Sequence, residues 1–158
     1  MHKKDRTKRL VKKAPALLFI LSVIFLIAAL VHFLALMMVF RSWNWLRAFE
    51  ISPGVEFQVF KNLFFALGFL LSGISLLMRK NWSTWLGGAL SILLVVWFWL
   101  DRTLLNQSPL PLPQQLFPLV ASLVLLSVIL ISLYLVDPYL KRESVSPDIK
   151  VEKDEEKN

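Results

Sequence analysis

From Ala14 to Phe40 the chain is apolar at every position except Pro15, Ser22 and His32. A helix needs about 20 consecutive apolar residues to cross the hydrocarbon of a bilayer, whereas the core of a secretory signal has about 7–15. No small-residue cleavage pattern follows the run, so it reads as a retained signal-anchor helix with Pro15 in its first turn, where a missing N–H is harmless.

Three further runs have the same character: Asn62–Met78, Thr84–Leu100 and Leu116–Val136. The second extends backwards through Val59 and Phe60, and the third forwards through Leu104 and Leu105. The fourth has Pro118 near its start and stops at Asp137-Pro138. The predicted spans are about 14–40, 59–78, 83–105 and 116–136. Hydrophobic residues make up 56% of the chain and charged ones 18%, too apolar for a soluble domain, which is about 25% charged. The fold class expected is all-α: a polytopic four-helix membrane bundle over 14–140, between a basic tail (1–13) and a charged tail (141–158). The latter lacks the apolar residues to fold and is expected to be disordered.

Charge sets the expected orientation. Residues 1–13 carry seven basic side chains and one acid, Asp5, which supplies +6 of the net +7. A basic stretch against a membrane helix is drawn to anionic lipid, so the bilayer is the expected partner and nucleic acid is not. With both termini cytoplasmic, eleven basic residues fall on the inner side: those of 1–13, Arg79, Lys80, Lys141 and Arg142. Arg41, Arg47, Lys61 and Arg102 fall outside. That asymmetry is the positive-inside pattern, and the setting expected is a cell membrane of bacterial inner-membrane type. Trp43, Trp45, Trp82, Trp85, Trp97 and Trp99 all lie near predicted interfaces, as aromatic belts do.

The connections differ in kind. Arg79-Lys80-Asn81 forces the second and third spans into an antiparallel hairpin. Residues 106–115 carry three alternate prolines and are expected to be extended. WNWLRAFEI (43–51) predicts a short interfacial helix, and Ser52-Pro53-Gly54 the cap and first turn of the next span.

Chemistry is sparse. Without cysteine there is no thiolate nucleophile, disulfide or iron–sulfur ligand. The only histidines are His2 and His32, too far apart in sequence and depth for a metal or haem pair, so no cofactor is expected. No glycine-rich phosphate loop and no nucleophile or zinc motif occurs. Three polar residues in or at the membrane remain as candidates. His32 is expected to hydrogen-bond a carbonyl or serine on a neighbouring helix. Asp101 is four residues after Trp97, whose indole N–H is expected to reach it. Arg102 is placed to pack on Phe98 or Trp99. Glu56 complements the dipole of its helix.

Small residues form two stripes: Gly68 and Ser72, with Ser75 close by, and Ser83, Gly87 and Ser91. Such stripes let helices approach closely in lipid. The second and third spans are therefore expected to be the tightest pair, with Ser72 level with Gly87–Gly88 and Gly68 level with Ser91–Ile92. The functional expectation is a non-enzymatic accessory or scaffold component of a membrane assembly, partnered by other membrane proteins or by itself. A small transporter or channel using Asp101, Arg102 and His32 is the alternative.

Overall fold

The first apolar run lies within a single helix, α1 (Lys3–Arg41), which turns at Ser42 into the short α2 (Trp43–Ala48). The structure, a computed structural model, describes residues 3–48, 54–105 and 112–155, with side chains described over 15–48, 54–103 and 116–141. The chain continues as α3 (Val55–Leu77), α4 (Ser83–Leu100), a π-helical turn (Asp101–Leu105) and α5 (Leu112–Glu155). No strand occurs among the described residues. Four stretches are long and apolar enough to cross a membrane: Pro15–Arg41, Val55–Leu77, Ser83–Thr103 and Leu116–Lys141.

Several element ends differ from expectation. Pro15 is inside α1, not in its first turn, and Pro118 and Pro138 are likewise inside α5. A proline removes one ladder bond, but the ladder on either side carries the helix past it. At Pro138 side chains also hold the turn: Thr84 Oγ1 of α4 donates to Asp137 Oδ1 at 2.9 Å, and within α5 Lys141 Nζ lies 2.6 Å from Asp137 Oδ2. Backbone helix reaches Glu155, so residues 141–155 are helical where disorder was expected, and 112–115 are helical where an extended segment was expected. The rest of the proline segment (106–111), the end of the interfacial helix (49–51) and the Ser52-Pro53 cap lie outside the described residues. Gly54 is the N-cap of α3 and makes no side-chain cap bond.

Register follows from a simple property of antiparallel helices: the numbers of facing residues add to a constant. For α1 and α3, His32–Asn62 and Phe25–Phe69 both add to 94. For α4 and α5, Thr84–Asp137, Gly88–Leu133 and Trp99–Ser122 all add to 221. Between α3 and α4 the constant is 158–159, from Gly68–Leu90 and Ser72–Gly87. The helices therefore alternate in direction. The start of α1 and the α3–α4 turn share one end, here the near end; α2 and the π turn share the far end.

The core is a stripe of α1 (Leu18, Leu21, Ser22, Phe25, Ala29) at spacings of three and four, facing Phe65, Phe69, Gly73 and Leu76 of α3. α1 and α3 make the most extensive contact in the bundle, which corrects the expectation that α3 and α4 would be the tightest pair. The reason lies at Gly87. A Cβ there would sit 2.7 Å from the Phe25 ring and 3.0 Å from Ser72 Oγ, so the notch in α4 is filled mainly by a phenylalanine of α1. Ser72 does lie level with Gly87, as expected, whereas Gly68 meets Leu90, one position from the predicted level. Ser83 and Ser91 are buried but bond to nearby backbone of their own segment, Ser83 to Lys80 O in the preceding turn and Ser91 to Gly87 O of its own helix. α5 is peripheral, burying Leu133, Val136 and Leu140 and exposing most of its other apolar side chains.

The α3–α4 turn closes with a Schellman motif. Lys80 N–H donates to Ser75 O and Arg79 N–H to Leu76 O, both at 3.0 Å, and Arg79 takes the left-handed conformation (φ 55°) usually given to glycine.

Candidate functional site

The far end of the bundle gathers the polar candidates, and α3 is the element that joins them. Asn62 is buried on the face of α3 that meets α1, and its Oδ1 lies 3.2 Å from His32 Nδ1. The imidazole also stacks on Phe65 and Phe69, with ring centroids 5.3 and 6.0 Å away. His32 thus continues the aromatic column of Phe25, Phe69 and Phe65 and uses its polar edge for one interhelical hydrogen bond. The sequence reading placed that bond on a neighbouring helix; the acceptor is a side-chain amide rather than a backbone carbonyl or serine.

Lys61, the residue before Asn62, turns to the π turn that continues α4. Its Nζ lies 3.6 Å from Asp101 Oδ2, with the lysine side chain 17% exposed and the aspartate 37%. This corrects the expected Trp97–Asp101 hydrogen bond. The Trp97 ring is instead drawn aside by stacking on Phe57 (centroids 5.3 Å), and its buried Nε1 has no hydrogen-bond partner among the described residues. Arg102 packs its guanidinium 5.9 Å from the Phe98 ring centroid, one of the two partners expected, and its Nε is likewise buried and unpartnered among the described residues. Asp101 and Arg102 both belong to the π turn that follows α4, a geometry found mostly as single-turn bulges within α-helices and frequent at functional sites.

Two more ties complete this end. Trp99 Nε1 donates to Ser122 Oγ of α5 at 3.1 Å. Glu56 in the first turn of α3 pairs with Arg47 of α2, whose guanidinium also stands 5.1 Å from the Trp43 ring centroid. Glu56 is therefore an inter-helix anchor as well as a dipole partner.

The candidates His32, Asp101 and Arg102 all lie toward the same end, and α3 meets two of them through adjacent residues, Asn62 with His32 and Lys61 with Asp101. Sequence reasoning passed over Lys61 and Asn62 as the polar opening of an apolar run. An available signal was the antiparallel return of α3 along α1, which puts a residue near 62 opposite His32. Among the described residues no group of three or more histidine, cysteine or acidic side chains could hold a metal ion. Comparison with protein-family models, with curated proteins and with solved structures returned no match.

Proposed function

We propose that this chain is a four-span integral membrane protein, both termini cytoplasmic, that serves as a non-catalytic accessory or scaffold component of a larger membrane assembly. The observation that carries the reading is where the polar side chains of the apolar stretches go. His32 is spent on Asn62, Lys61 and Asp101 on each other, Trp99 on Ser122, and Asp137 on Thr84 and Lys141. These contacts fasten one helix to another, or one turn to the next. A transport path through Asp101 and His32 would need those groups free to exchange partners. The outward apolar surface, largest on α5, is what lipid or neighbouring membrane helices would cover.

Orientation rests on charge. Arg79, Lys80 and Lys141 lie at the near end, toward which α1 extends its basic first turns, and Arg41, Arg47, Lys61 and Arg102 lie toward the far end. The near end is therefore the cytoplasmic one.

The test is extraction of the tagged native protein into lipid nanodiscs followed by mass measurement of the intact particle. The accessory reading expects a second polypeptide at fixed stoichiometry. A particle holding this chain alone or only copies of itself contradicts it and favours transport, which flux assays on Asp101→Asn and His32→Ala would then follow.

A further inference from the structure

Two helices run on past the near end of the bundle. α1 begins at Lys3, ahead of the span that starts at Pro15, and α5 continues beyond Lys141 to Glu155. Neither extension accounts for its own helicity. Both are polar almost throughout, and a helix polar on every side needs favourable pairs along its surface or a partner. In α1 the four-residue neighbours Lys4–Lys8, Lys8–Lys12 and Arg9–Lys13 are alike in charge, against one opposite pair, Asp5–Arg9. In α5, Asp148–Glu152 is alike, Lys150–Asp154 is opposite, and Pro147 removes a ladder bond. Like charges one turn apart destabilise a helix, so the stabilising charge has to come from elsewhere.

The register supplies a source. Leu18 and Leu21 of α1 share one buried cluster with Val136 and Leu140 of α5, so the two helices meet where they leave the bundle. Leu140, in the last turn of the span, is fully buried. The span ends Pro15 and Lys141 add to 156, and Arg41 and Leu116 add to 157; the constants of the other three helix pairs agree. Carried outward, that register puts Lys13 level with Glu143, Lys8 with Asp148, Lys4 with Glu152 and Lys3 with Asp154. Like charges also fall level, Arg6 with Lys150 and Lys3 with Lys153, so the match is between segments rather than at every position. Residues 3–13 carry seven bases and one acid, and residues 143–155 carry five acids and two bases.

Height above the bilayer decides which partner the outer bases can use. At 1.5 Å per residue an upright α1 sets Lys3 about 18 Å beyond Pro15, past the ~8–10 Å over which surface charge is felt in physiological salt. There the acids of α5 are the nearest source of negative charge. We propose that the two extensions pair lengthwise as an electrostatic latch on the cytoplasmic side. The acidic end of α5 holds the basic segment of α1 upright and off the bilayer. Screening or neutralising those acids releases the segment to lie on anionic lipid. The latch rests on the four-span reading with the near end cytoplasmic and does not depend on the accessory role.

The test uses the full-length chain, which has no native cysteine, with spin labels on Thr7→Cys and Ile149→Cys, a level pair that removes no charge. The protein is placed in phosphatidylcholine nanodiscs, and the label separation is measured by pulsed electron paramagnetic resonance. At low salt the expected result is one narrow separation, as for neighbouring helices with axes about 8–10 Å apart. Raising salt to about 1 M, where the screening length falls to ~3 Å, should broaden it. An amide variant (Asp148→Asn, Glu152→Gln, Asp154→Asn, Glu155→Gln) should cut the narrow population about fivefold. With phosphatidylglycerol in the disc, that variant should also bring the Thr7 label into lipid, read by its relaxation with dissolved oxygen. The salt series leaves every acid in place, so it stands even where the amide variant folds poorly. A broad separation at low salt in neutral lipid overturns the proposal. So does a narrow one that neither salt nor the amide variant alters, or a released segment that gains no contact with anionic lipid. No readout involves a second polypeptide, so this result and that of the particle-mass measurement are separable.

Discussion

The ammonium of Lys61 reaches Asp101, about one helical turn beyond Trp97, the residue that the α3–α4 register sets opposite it. Phe57 makes the reciprocal displacement and stacks on Trp97. The charged tip thus extends toward the far end of the bundle, and the rings close behind it. Because Lys61 is mostly buried, removing its counter-charge should matter more than at a surface pair. Asp101→Asn is expected to lower stability by about 1–3 kcal/mol, and the apolar double replacement Lys61→Met with Asp101→Leu to recover most of that loss. Denaturant unfolding in detergent micelles measures both. Equal loss in the single and double variants would mean the pair is not coupled.

Adjacent glycines of α4 should respond with opposite signs. A Cβ at Gly87 would press on Phe25, which is 1% exposed and has nowhere to move, whereas at Gly88 it would meet Leu130 and Leu133 at 3.6 and 3.9 Å, ordinary contact distances. Gly87→Ala is expected to destabilise by about 1–3 kcal/mol through overpacking. Gly88→Ala is expected to stabilise by up to about 1 kcal/mol through helix propensity. Thermal unfolding of the two variants side by side checks the sign at each site.

Arg79 holds a left-handed conformation that favours glycine. Its guanidinium also stands 5.9 Å from the Tyr139 ring centroid, so replacing it changes two things at once. Comparing Arg79→Gly with Arg79→Ala separates them, since both lose the guanidinium and only alanine retains a Cβ. The glycine variant is expected to be the more stable by about 1 kcal/mol. Equal stability would mean that the turn relaxes out of the left-handed region when alanine replaces arginine.

Much of the architecture was legible because apolar length and charge position are properties of the chain itself. The four apolar stretches, the short helix at Trp43, the tight turn at Arg79 and the level of Ser72 with Gly87 were all readable in that way. What was not readable depended on which helix fills a gap. A glycine stripe announces that something approaches closely, and nothing in the stripe says that Phe25 of α1 is what arrives. Proline was overweighted: Pro15 and Pro138 looked like boundaries, but the buried Leu140 and the Asp137 contacts with Thr84 and Lys141 carry the helix through the second of them. At the candidate site, His32, Asp101 and Arg102 stood out as polar residues in apolar surroundings. Lys61 and Asn62 did not, because they open a run and their partners lie 30 or more positions away.

The central claim is that the chain crosses a bilayer four times with its near end in the cytoplasm, and the absence of cysteine makes that directly measurable. Single substitutions Lys8→Cys, Asn44→Cys, Asn81→Cys, Gln107→Cys and Ser146→Cys, each in the otherwise thiol-free chain, are exposed in intact cells to a membrane-impermeant maleimide. Labelling is expected at positions 44 and 107 in intact cells, and at 8, 81 and 146 only after the membrane is opened. Reversal of the two sets would contradict the orientation, and labelling of 8 and 146 from opposite sides would contradict the even number of crossings on which the four-span account depends.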